Sequence, residues 1–328
     1  MYFYIYTFLI IFNISLIGAS NDLIDTTEEA KNDKISGAGF VYFKGDIVNP
    51  CFRKIEKLAI SGSQQYTIDY FKDVVVKTLI TECRVPLRRI IFVDLREEPH
   101  FMFGCNSTVS IEGAKADAYR GLSVKKIMQI EDDFSQNFPP YITEKECIEA
   151  SGAKYQRFAV TDVTRPEDSD VDEFIDFFRK LEKIEHTKGK KYWLHFHCLA
   201  GQGRTTTFMS MFEMLKTAGT NMLPFKQLLD RQHAIGGADL SNMWYSGSGQ
   251  AWSEFLEHFY EYAKDFDKGY RSGALWSEWR SINGFEKFQE KSLHYSNWSL
   301  NGILSNMQAA TMVAYMKISQ LYRHVLVK

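Results

Sequence analysis

The sequence predicts an α/β fold, with a mostly parallel central sheet flanked by helices and a helical C-terminal extension. Short apolar runs that are typical of buried strands alternate with helical patterns along most of the chain. The 328 residues are 45% hydrophobic and 15% aromatic, which is enough for one sizeable core plus an appendage. A net charge of −2 gives no overall basic surface and argues against nucleic acid as a partner.

Local patterns predict the individual elements. Apolar runs predict strands over residues 40–48, 89–94, 155–161 and 192–196. Apolar residues that recur every three or four positions predict helices over residues 66–81, 122–138, 143–153, 170–184, 205–215 and 251–266, and one more from about Pro224. Asp170 and Glu173 are expected to cap the helix that begins at residue 170.

Composition divides the chain into four regions. Residues 1–20 are nearly all apolar and end in small residues, which predicts a signal peptide and a secreted or periplasmic protein; a membrane anchor is the alternative. The polar residues 21–39 are expected to form a flexible leader. The main domain comprises residues 40–266. Residues 267–328 are expected to form a helical extension docked on it, or alternatively a module that contacts a partner or a membrane.

The most informative motif runs from His197 to Thr205, between a strand pattern and a helix pattern. Backbone N–H groups at such a junction, together with the helix dipole, form an anion site. Five residues are expected to contact the anion through the loop: Leu199, Ala200, Gly201, Gln202 and Gly203. Arg204 offers two parallel donors to phosphate oxygens, and the positive field favours a thiolate at Cys198. The motif therefore predicts a nucleophilic cysteine that attacks phosphorus and forms a phosphocysteine.

Two neighbours of the cysteine have competing interpretations. The Thr205 hydroxyl is expected near the Cys198 sulfur, where it can stabilise the leaving thiolate; capping the helix is the alternative. His197 is expected to hydrogen-bond the loop and fix its shape, and His195 to be a core histidine. A metal held by both histidines is the minor alternative, and no cofactor or metal is predicted. For the motif as a whole, the alternative is a structural cysteine in a glycine-containing turn.

A carboxylic acid is needed to protonate the leaving group. Asp162 is the best candidate because it ends a predicted strand and opens a loop, whereas Asp168 and Asp170 have a structural explanation at a helix start. The same Asp162 carboxyl would later act as base for the hydrolytic water. The remaining cysteines, Cys51, Cys83, Cys105 and Cys147, are expected either to pair in two disulfides or to remain free thiols.

Residues 194–206 resemble the signature loop of the protein-tyrosine-phosphatase superfamily, and in particular that of the bacterial cysteine phytases, or tyrosine-phosphatase-like inositol polyphosphatases. Four further segments resemble motifs of that branch, in order along the chain: residues 50–53, 93–100, 158–162 and 231–237. The resemblance implies metal-independent release of phosphate from inositol polyphosphates or phosphoinositides by a cysteine phosphatase domain. It assigns Cys198 as nucleophile, Arg204 as phosphate clamp and Asp162 as general acid, with Arg53 and Asp94 contacting substrate.

Two departures from the family pattern bear on the substrate. The family has histidine where this chain has Val163, and it has lysines where residues 239–248 contain none. A hexakisphosphate needs a ring of cations. Four other cations could compensate: Arg53, Lys54, Arg157 and Arg165. Otherwise a less phosphorylated inositol, a phosphoinositide headgroup or phosphotyrosine is expected. A phosphotyrosine protein phosphatase and a non-catalytic phosphoinositide-binding module are therefore the rival hypotheses.

Overall fold

The computed structural model describes residues 40–44, 52–103, 107–111, 119–137, 141–162, 164–242, 252–265 and 267–285. These residues form the following strands: Phe40–Lys44 (β1), Arg53–Ile55 (β2), Ile60–Gln64 (β3), Ile90–Arg96 (β4), His100–Phe103 (β5), Ser107–Ile111 (β6), Ile142–Thr143 (β7), Lys154–Val160 (β8) and Trp193–Cys198 (β9). The helix α1 comprises three consecutive segments, Ile68–Tyr70, the π-helical Phe71–Val76, and Lys77–Thr81. The later helices are Val124–Asn137 (α2), Glu144–Ala150 (α3), Asp168–Lys188 (α4), Gly203–Thr217 (α5), Phe225–Ala234 (α6), Trp252–Lys264 (α7) and Trp276–Ile282 (α8).

The central sheet has the strand order β2-β3-β9-β4-β8. All neighbouring strands are parallel except β2 and β3. Every residue of β4 and β9 is buried, as expected for parallel strands covered on both faces. The predicted mostly parallel sheet is therefore confirmed, and the patterns over residues 89–94, 155–161 and 192–196 correspond to β4, β8 and β9.

A second sheet was not expected from the sequence. Strands β1, β6, β5 and β7 lie side by side in that order, and all their pairings are antiparallel. The strand predicted over residues 40–48 belongs to this sheet, where Phe40 pairs with Ile111. Such long-range pairing between short strands has no local sequence pattern, which is why only one member was predicted.

Two apolar cores cover the two faces of the central sheet. Because side chains alternate along a strand, Val93 and Leu95 of β4 enter one core while Ile90 and Phe92 enter the other. The first core includes residues of α4, α5, α6, α7 and α8, and the second includes residues of α1 and α3. The phosphate-loop motif lies where β9 leaves the sheet and α5 begins.

The start of α4 differs from the prediction. The helix begins at Asp168 rather than Asp170, and the Asp170 carboxylate accepts a hydrogen bond from the backbone N–H of Glu167 at 3.0 Å. Asp170 thus closes the first turn from inside the helix, where an acidic side chain also complements the helix dipole. The pair predicted for this role, Asp170 with Glu173, was shifted by one turn.

Several expectations fall on other parts of the chain. The predicted signal peptide 1–20, the leader 21–39, Cys51, Cys105 and residues 286–328 of the predicted extension lie outside the described residues. Cys83 and Cys147, which are described, are free thiols. Within the described ranges, no helix combines the length and apolar character needed to cross a bilayer.

Candidate active site

The loop between β9 and α5 is held tightly against the end of β3. The backbone carbonyl of Leu199 accepts a hydrogen bond from the N–H of Gln65 at 3.1 Å. Gly201 has a φ of +68°, and a Cβ at this position would lie 2.4 Å from the backbone nitrogen of Gln64. Glycine is thus required twice at Gly201, for its backbone conformation and for its contact with β3.

The nucleophile candidate lies at the entrance to helix α5. The Thr205 hydroxyl donates a hydrogen bond to Sγ of Cys198 at 3.2 Å. The N–H of Thr206 bonds to the Gln202 carbonyl at 2.8 Å, so the N–H groups of residues 203–205 precede this helical hydrogen bond. The Cys198 sulfur therefore lies at the positive end of α5, as the sequence predicted, and Thr205 is beside it.

Arg204 joins the loop to two strand ends. Its guanidinium donates to both carboxylate oxygens of Glu98 at 3.0 and 3.3 Å, and to the carbonyls of Val160 and Leu95 at 3.0 and 3.4 Å. Burial alone would lower the pKa of Arg204, but the charges of Glu98, Cys198 and Asp162 raise it. The side chain is thus a fixed cation beside the loop.

Glu98 is a site residue that the sequence analysis missed. Burial alone would raise the pKa of its carboxyl, but the charges of Arg204 and Arg96 lower it well below its ordinary value. Nε of Arg96 lies 2.8 Å from Oε1 of Glu98. The sequence did contain a signal for Glu98, which comes two residues after β4. The carboxyl ends of β4 and β9 lie at the same edge of the parallel sheet, and residues that follow such strands face the ligand site in α/β folds.

The predicted general acid also lies at this edge. Asp162 follows β8, and its Oδ1 is 3.2 Å from a guanidinium nitrogen of Arg204. Its side chain is 44% exposed, so the carboxyl can reach an incoming ester. The structure therefore brings together Cys198, Arg204, Asp162 and Thr205. The rival candidates Asp168 and Asp170 are engaged in contacts at the start of α4.

A second carboxyl supports the segment that carries Asp162. Glu97 accepts a hydrogen bond from the backbone N–H of Gly121 at 3.0 Å and interacts with the Thr161 hydroxyl. Burial raises the pKa of Glu97 to about 7 despite these hydrogen bonds. Burial likewise raises the pKa of Asp170 to about 8. The Glu97 carboxyl is thus linked through Thr161 to the segment that carries Asp162.

Asp94 lies inside a buried charge network, away from the loop opening. Its Oδ1 accepts the N–H of Arg96 at 2.9 Å, and its Oδ2 accepts the Tyr155 hydroxyl at 2.6 Å. Nε of Arg157 lies 3.3 Å from the same Oδ2. The carboxylate is fully buried, so these contacts hold β4 against β8. A substrate contact for Asp94 stays a prediction.

His197 faces the same network and not the phosphate loop. Because side chains alternate along β9, His197 points to the face opposite Phe196 and Cys198, and its Nε2 lies 2.8 Å from Oε1 of Glu144. His197 thus contacts Glu144 on the opposite face of the sheet, where a hydrogen bond to the loop was expected. His195 is a buried core histidine whose ring nitrogens lie 2.9 and 3.1 Å from the hydroxyls of Ser61 and Ser63.

One group of side chains among the described residues has the composition of a metal site. Ligand atoms of Asp94, Glu144 and His197 lie within 4.8 Å of one another. The Glu144 oxygens, however, already accept hydrogen bonds from Tyr66 at 2.6 Å and Gln65 at 3.1 Å. The acceptors of this group are thus used by protein donors, as in a structural network.

Arg53 lies behind the first turn of α5. It is 3% exposed, and one guanidinium nitrogen donates to the Thr206 hydroxyl at 3.0 Å. The same hydroxyl accepts the N–H of Ala238 at 2.9 Å, and a Cβ on Gly237 would lie 2.9 Å from Cγ2 of Thr206. The segments around Arg53 and Gly237 therefore pack against the first turn of α5 and stabilise it. A direct substrate contact for Arg53 stays a prediction.

The other cations that could compensate for the missing lysines are also occupied. Arg157 and Arg165 are buried and paired with carboxylates, and Lys54 is paired with Glu56 and Glu82. In the part of the chain that the structure describes, these cations thus form ion pairs within the protein.

The sequence model of the PTP-like phytase family, whose description is "Inositol hexakisphosphate", matches residues 104–216. The "Uncharacterized protein AvrBs1.1" of Xanthomonas campestris pv. campestris is 40% identical over 97 residues, which are 27% of this chain and 89% of that protein. A PTP-like phytase from Bdellovibrio bacteriovorus has a similar structure, with a TM-score of 0.58 and 27% identity over 70% of this chain and 88% of that one.

Residues 104–216 of this chain therefore belong to the PTP-like phytase family. A PTP-like myo-inositol phosphatase from Mitsuokella multacida, solved with myo-inositol-(1,3,4,5)-tetrakisphosphate, shares the fold, with a TM-score of 0.56 and 24% identity over 78% of this chain and 45% of that one. The effector protein hopD2 of Pseudomonas syringae pv. tomato is 33% identical over 150 residues, which are 42% of this chain. The match spans only 29% of that effector's length.

Proposed function

We propose that this PTP-like phytase is a cysteine phosphatase that hydrolyses phosphate monoesters of inositol polyphosphates or phosphoinositides without a metal ion. The observation that carries the proposal is the convergence of three groups on one loop. Thr205 lies 3.2 Å from the Cys198 sulfur, and Arg204 lies 3.2 Å from Asp162. A nucleophile, a phosphate-binding cation and an acid within reach of one another are what stepwise phosphoryl transfer requires.

In the proposed first step, the Cys198 thiolate attacks phosphorus and a sulfur–phosphorus bond forms as the bond to the ester oxygen breaks. The loop N–H groups and Arg204 bind the three phosphoryl oxygens. Asp162 gives its proton to the departing oxygen, which leaves as an alcohol. In the second step, Asp162 takes a proton from water, the oxygen of that water attacks phosphorus, and the thiolate departs while accepting the Thr205 hydrogen bond.

Phosphorylated inositols are the proposed substrates because of family membership and the similarity to the Bdellovibrio phytase. The segment 239–248 contains no lysine, and Arg53, Arg157 and Arg165 are buried. We therefore include inositols with fewer phosphates and phosphoinositide headgroups, which need fewer cations than the hexakisphosphate does. Export through residues 1–20, and membrane contact through the substrate or the C-terminal region, are part of the proposal.

The test is release of inorganic phosphate from myo-inositol hexakisphosphate in chelator, comparing the wild type with Cys198→Ser. Release by the wild type alone supports both the cysteine mechanism and the inositol class. Release by both proteins would contradict the mechanism. If neither acts, phosphoinositide vesicles and a phosphotyrosine peptide go into the same assay. Turnover of the peptide alone would favour the phosphotyrosine phosphatase, and headgroup binding without any release would favour the binding module.

A further inference from the structure

The segment that carries Asp162 is a short connection, residues 161–167, between β8 and α4. We call it the acid loop. Its first turn is closed by the Thr164 hydroxyl, which donates to the Thr161 carbonyl at 3.1 Å. At its other end, a guanidinium nitrogen of Arg165 donates to the carbonyl of Pro166 at 3.3 Å and to Oδ1 of Asp168 at 3.2 Å. Arg165 thus ties the C-terminal end of the acid loop to Asp168.

Asp168 is held by the C-terminal helix α8. The indole N–H of Trp276 donates to Oδ1 of Asp168 at 2.9 Å. Nε of Arg280, one helical turn further on, lies 2.9 Å from Oδ2 of the same carboxylate. Trp276 is 1% exposed and Arg280 is 8% exposed, so both partners of Asp168 are buried side chains. The Asp168 side chain itself is 14% exposed, so its carboxylate is largely shielded and these contacts stabilise its position.

Helix α8 is itself fixed in the apolar core. The Trp276 ring lies edge-on to Phe255 of α7, with ring centroids 5.7 Å apart. The Arg165 guanidinium lies 5.4 Å from the centroid of the same Phe255 ring, at cation–π distance. The backbone N–H of Ser277 donates to the Asp172 carboxylate of α4 at 3.1 Å. The acid loop and α8 therefore share both polar and aromatic contacts.

We propose that Trp276 and Arg280 are positioning residues for the general acid, acting on Asp162 through Asp168 and Arg165. This inference rests on the proposed function. Proton transfer needs the carboxyl at hydrogen-bond distance from the leaving oxygen, and a displacement of about 1 Å can cost about a hundredfold in rate. The first residues of the C-terminal extension thereby contribute to catalysis without touching substrate.

The chain offers a matched pair of variants for the test. Trp276→Phe removes the donor to Asp168 and keeps an aromatic ring in the core. Trp279→Phe makes the same change on the same helix, but its indole N–H donates to Asp265 at 2.8 Å, away from the acid loop. Each full-length variant would be assayed with phenyl phosphate, which needs protonation of its leaving group, and with p-nitrophenyl phosphate, which needs little.

We expect Trp276→Phe to lower kcat for phenyl phosphate by about tenfold and kcat for p-nitrophenyl phosphate by about twofold at most. Trp279→Phe should leave the ratio of the two rates at the wild-type value. Equal losses on both esters in Trp276→Phe, or the same change of ratio in Trp279→Phe, would overturn the inference, because a merely structural role moves both rates together.

A second measurement does not depend on turnover. Amide hydrogen exchange of residues 161–168 should be faster in Trp276→Phe and in Arg280→Gln than in the wild type, and unchanged in Trp279→Phe. Unchanged exchange in both Trp276→Phe and Arg280→Gln would overturn the positioning role. If the wild type hydrolyses neither these esters nor the inositol substrates, the proposed function fails, and the exchange data still decide whether α8 holds the acid loop.

Discussion

The Asp162 carboxylate lies 3.2 Å from the Arg204 guanidinium, which donates hydrogen bonds to both carboxylate oxygens of Glu98. Arg204 therefore links the acid loop, the end of β4 and the phosphate loop. Arg204 contacts Asp162 directly, whereas the Cys198 sulfur accepts its hydrogen bond from the next residue of the helix, Thr205. This arrangement makes the contribution of each group separable by substitution.

Asp162→Asn should reduce kcat for phenyl phosphate by about a hundredfold or more, and kcat for p-nitrophenyl phosphate far less. The amide keeps the shape of the side chain but has no proton to give to the leaving oxygen. Steady-state kinetics with the two esters provide the measurement. Asp176→Asn, which changes a more exposed carboxyl on α4, is the control. Equal losses on the two esters would remove Asp162 from the role of acid.

Thr205→Val should slow hydrolysis of the phosphocysteine by about tenfold or more, because the departing thiolate loses the hydrogen bond seen at 3.2 Å. With p-nitrophenyl phosphate as substrate, the expected result is an initial burst of p-nitrophenol followed by a slow steady-state rate. Thr207→Val is the matched control, since the Thr207 hydroxyl donates to a backbone carbonyl of the same helix. Wild-type steady-state rates without a burst would contradict this role for Thr205.

Gly201→Ala should destabilise the protein by about 2–4 kcal/mol, from a positive φ together with a clash against the backbone of β3. Gly189→Ala provides the comparison, because Gly189 has a φ of +59° but its added Cβ would meet nothing within 4 Å. That variant should lose only about 1 kcal/mol. Urea unfolding gives both values. Similar losses would show that β3 does not constrain the loop.

Glu97→Gln should stabilise the protein at pH 8.5 and have little effect at pH 5. Burial raises the pKa of Glu97 to about 7 in the folded state, above the ordinary glutamate value, so the folded protein binds the proton more tightly. Stability is then lost as pH rises from the ordinary pKa through about 7, by about 3 kcal/mol in total. The melting temperatures of both proteins from pH 5 to 8.5 measure this, and parallel curves would contradict it.

The sequence predicted the parts of the fold whose signals are local. The buried strands β4 and β9 appear as apolar runs, and the loop glycines and Arg204 follow from the demands of anion binding. Glu98 was missed although its place after β4 was a signal, whereas Glu144 could not be assigned in this way because it acquires its partners only when distant segments meet. The contact between Glu144 of α3 and His197 of β9 joins residues 53 positions apart, and no periodicity encodes it.

The antiparallel sheet and the packing position of α8 were not predicted, for a related reason. Strand β7 has two residues, too few for an alternating pattern, and it is recognised only through its pairing with β5. The aromatic residues of α8 indicated packing, but the pairing of Trp276 with Asp168 depends on where α4 begins. That boundary was itself placed two residues too late.

Cys198 and Arg204 differ in what the fold requires of them. Cys198 accepts a single side-chain hydrogen bond, and serine can occupy nearly the same space. Arg204 pairs with the part-buried Glu98 and donates to carbonyls at the ends of β4 and β8, so its loss removes several contacts between these segments. A chain that no longer needs catalysis can lose the cysteine at little cost to folding, whereas losing the arginine would remove these contacts. An arginine without its cysteine is then the expected relic of a former enzyme in this family.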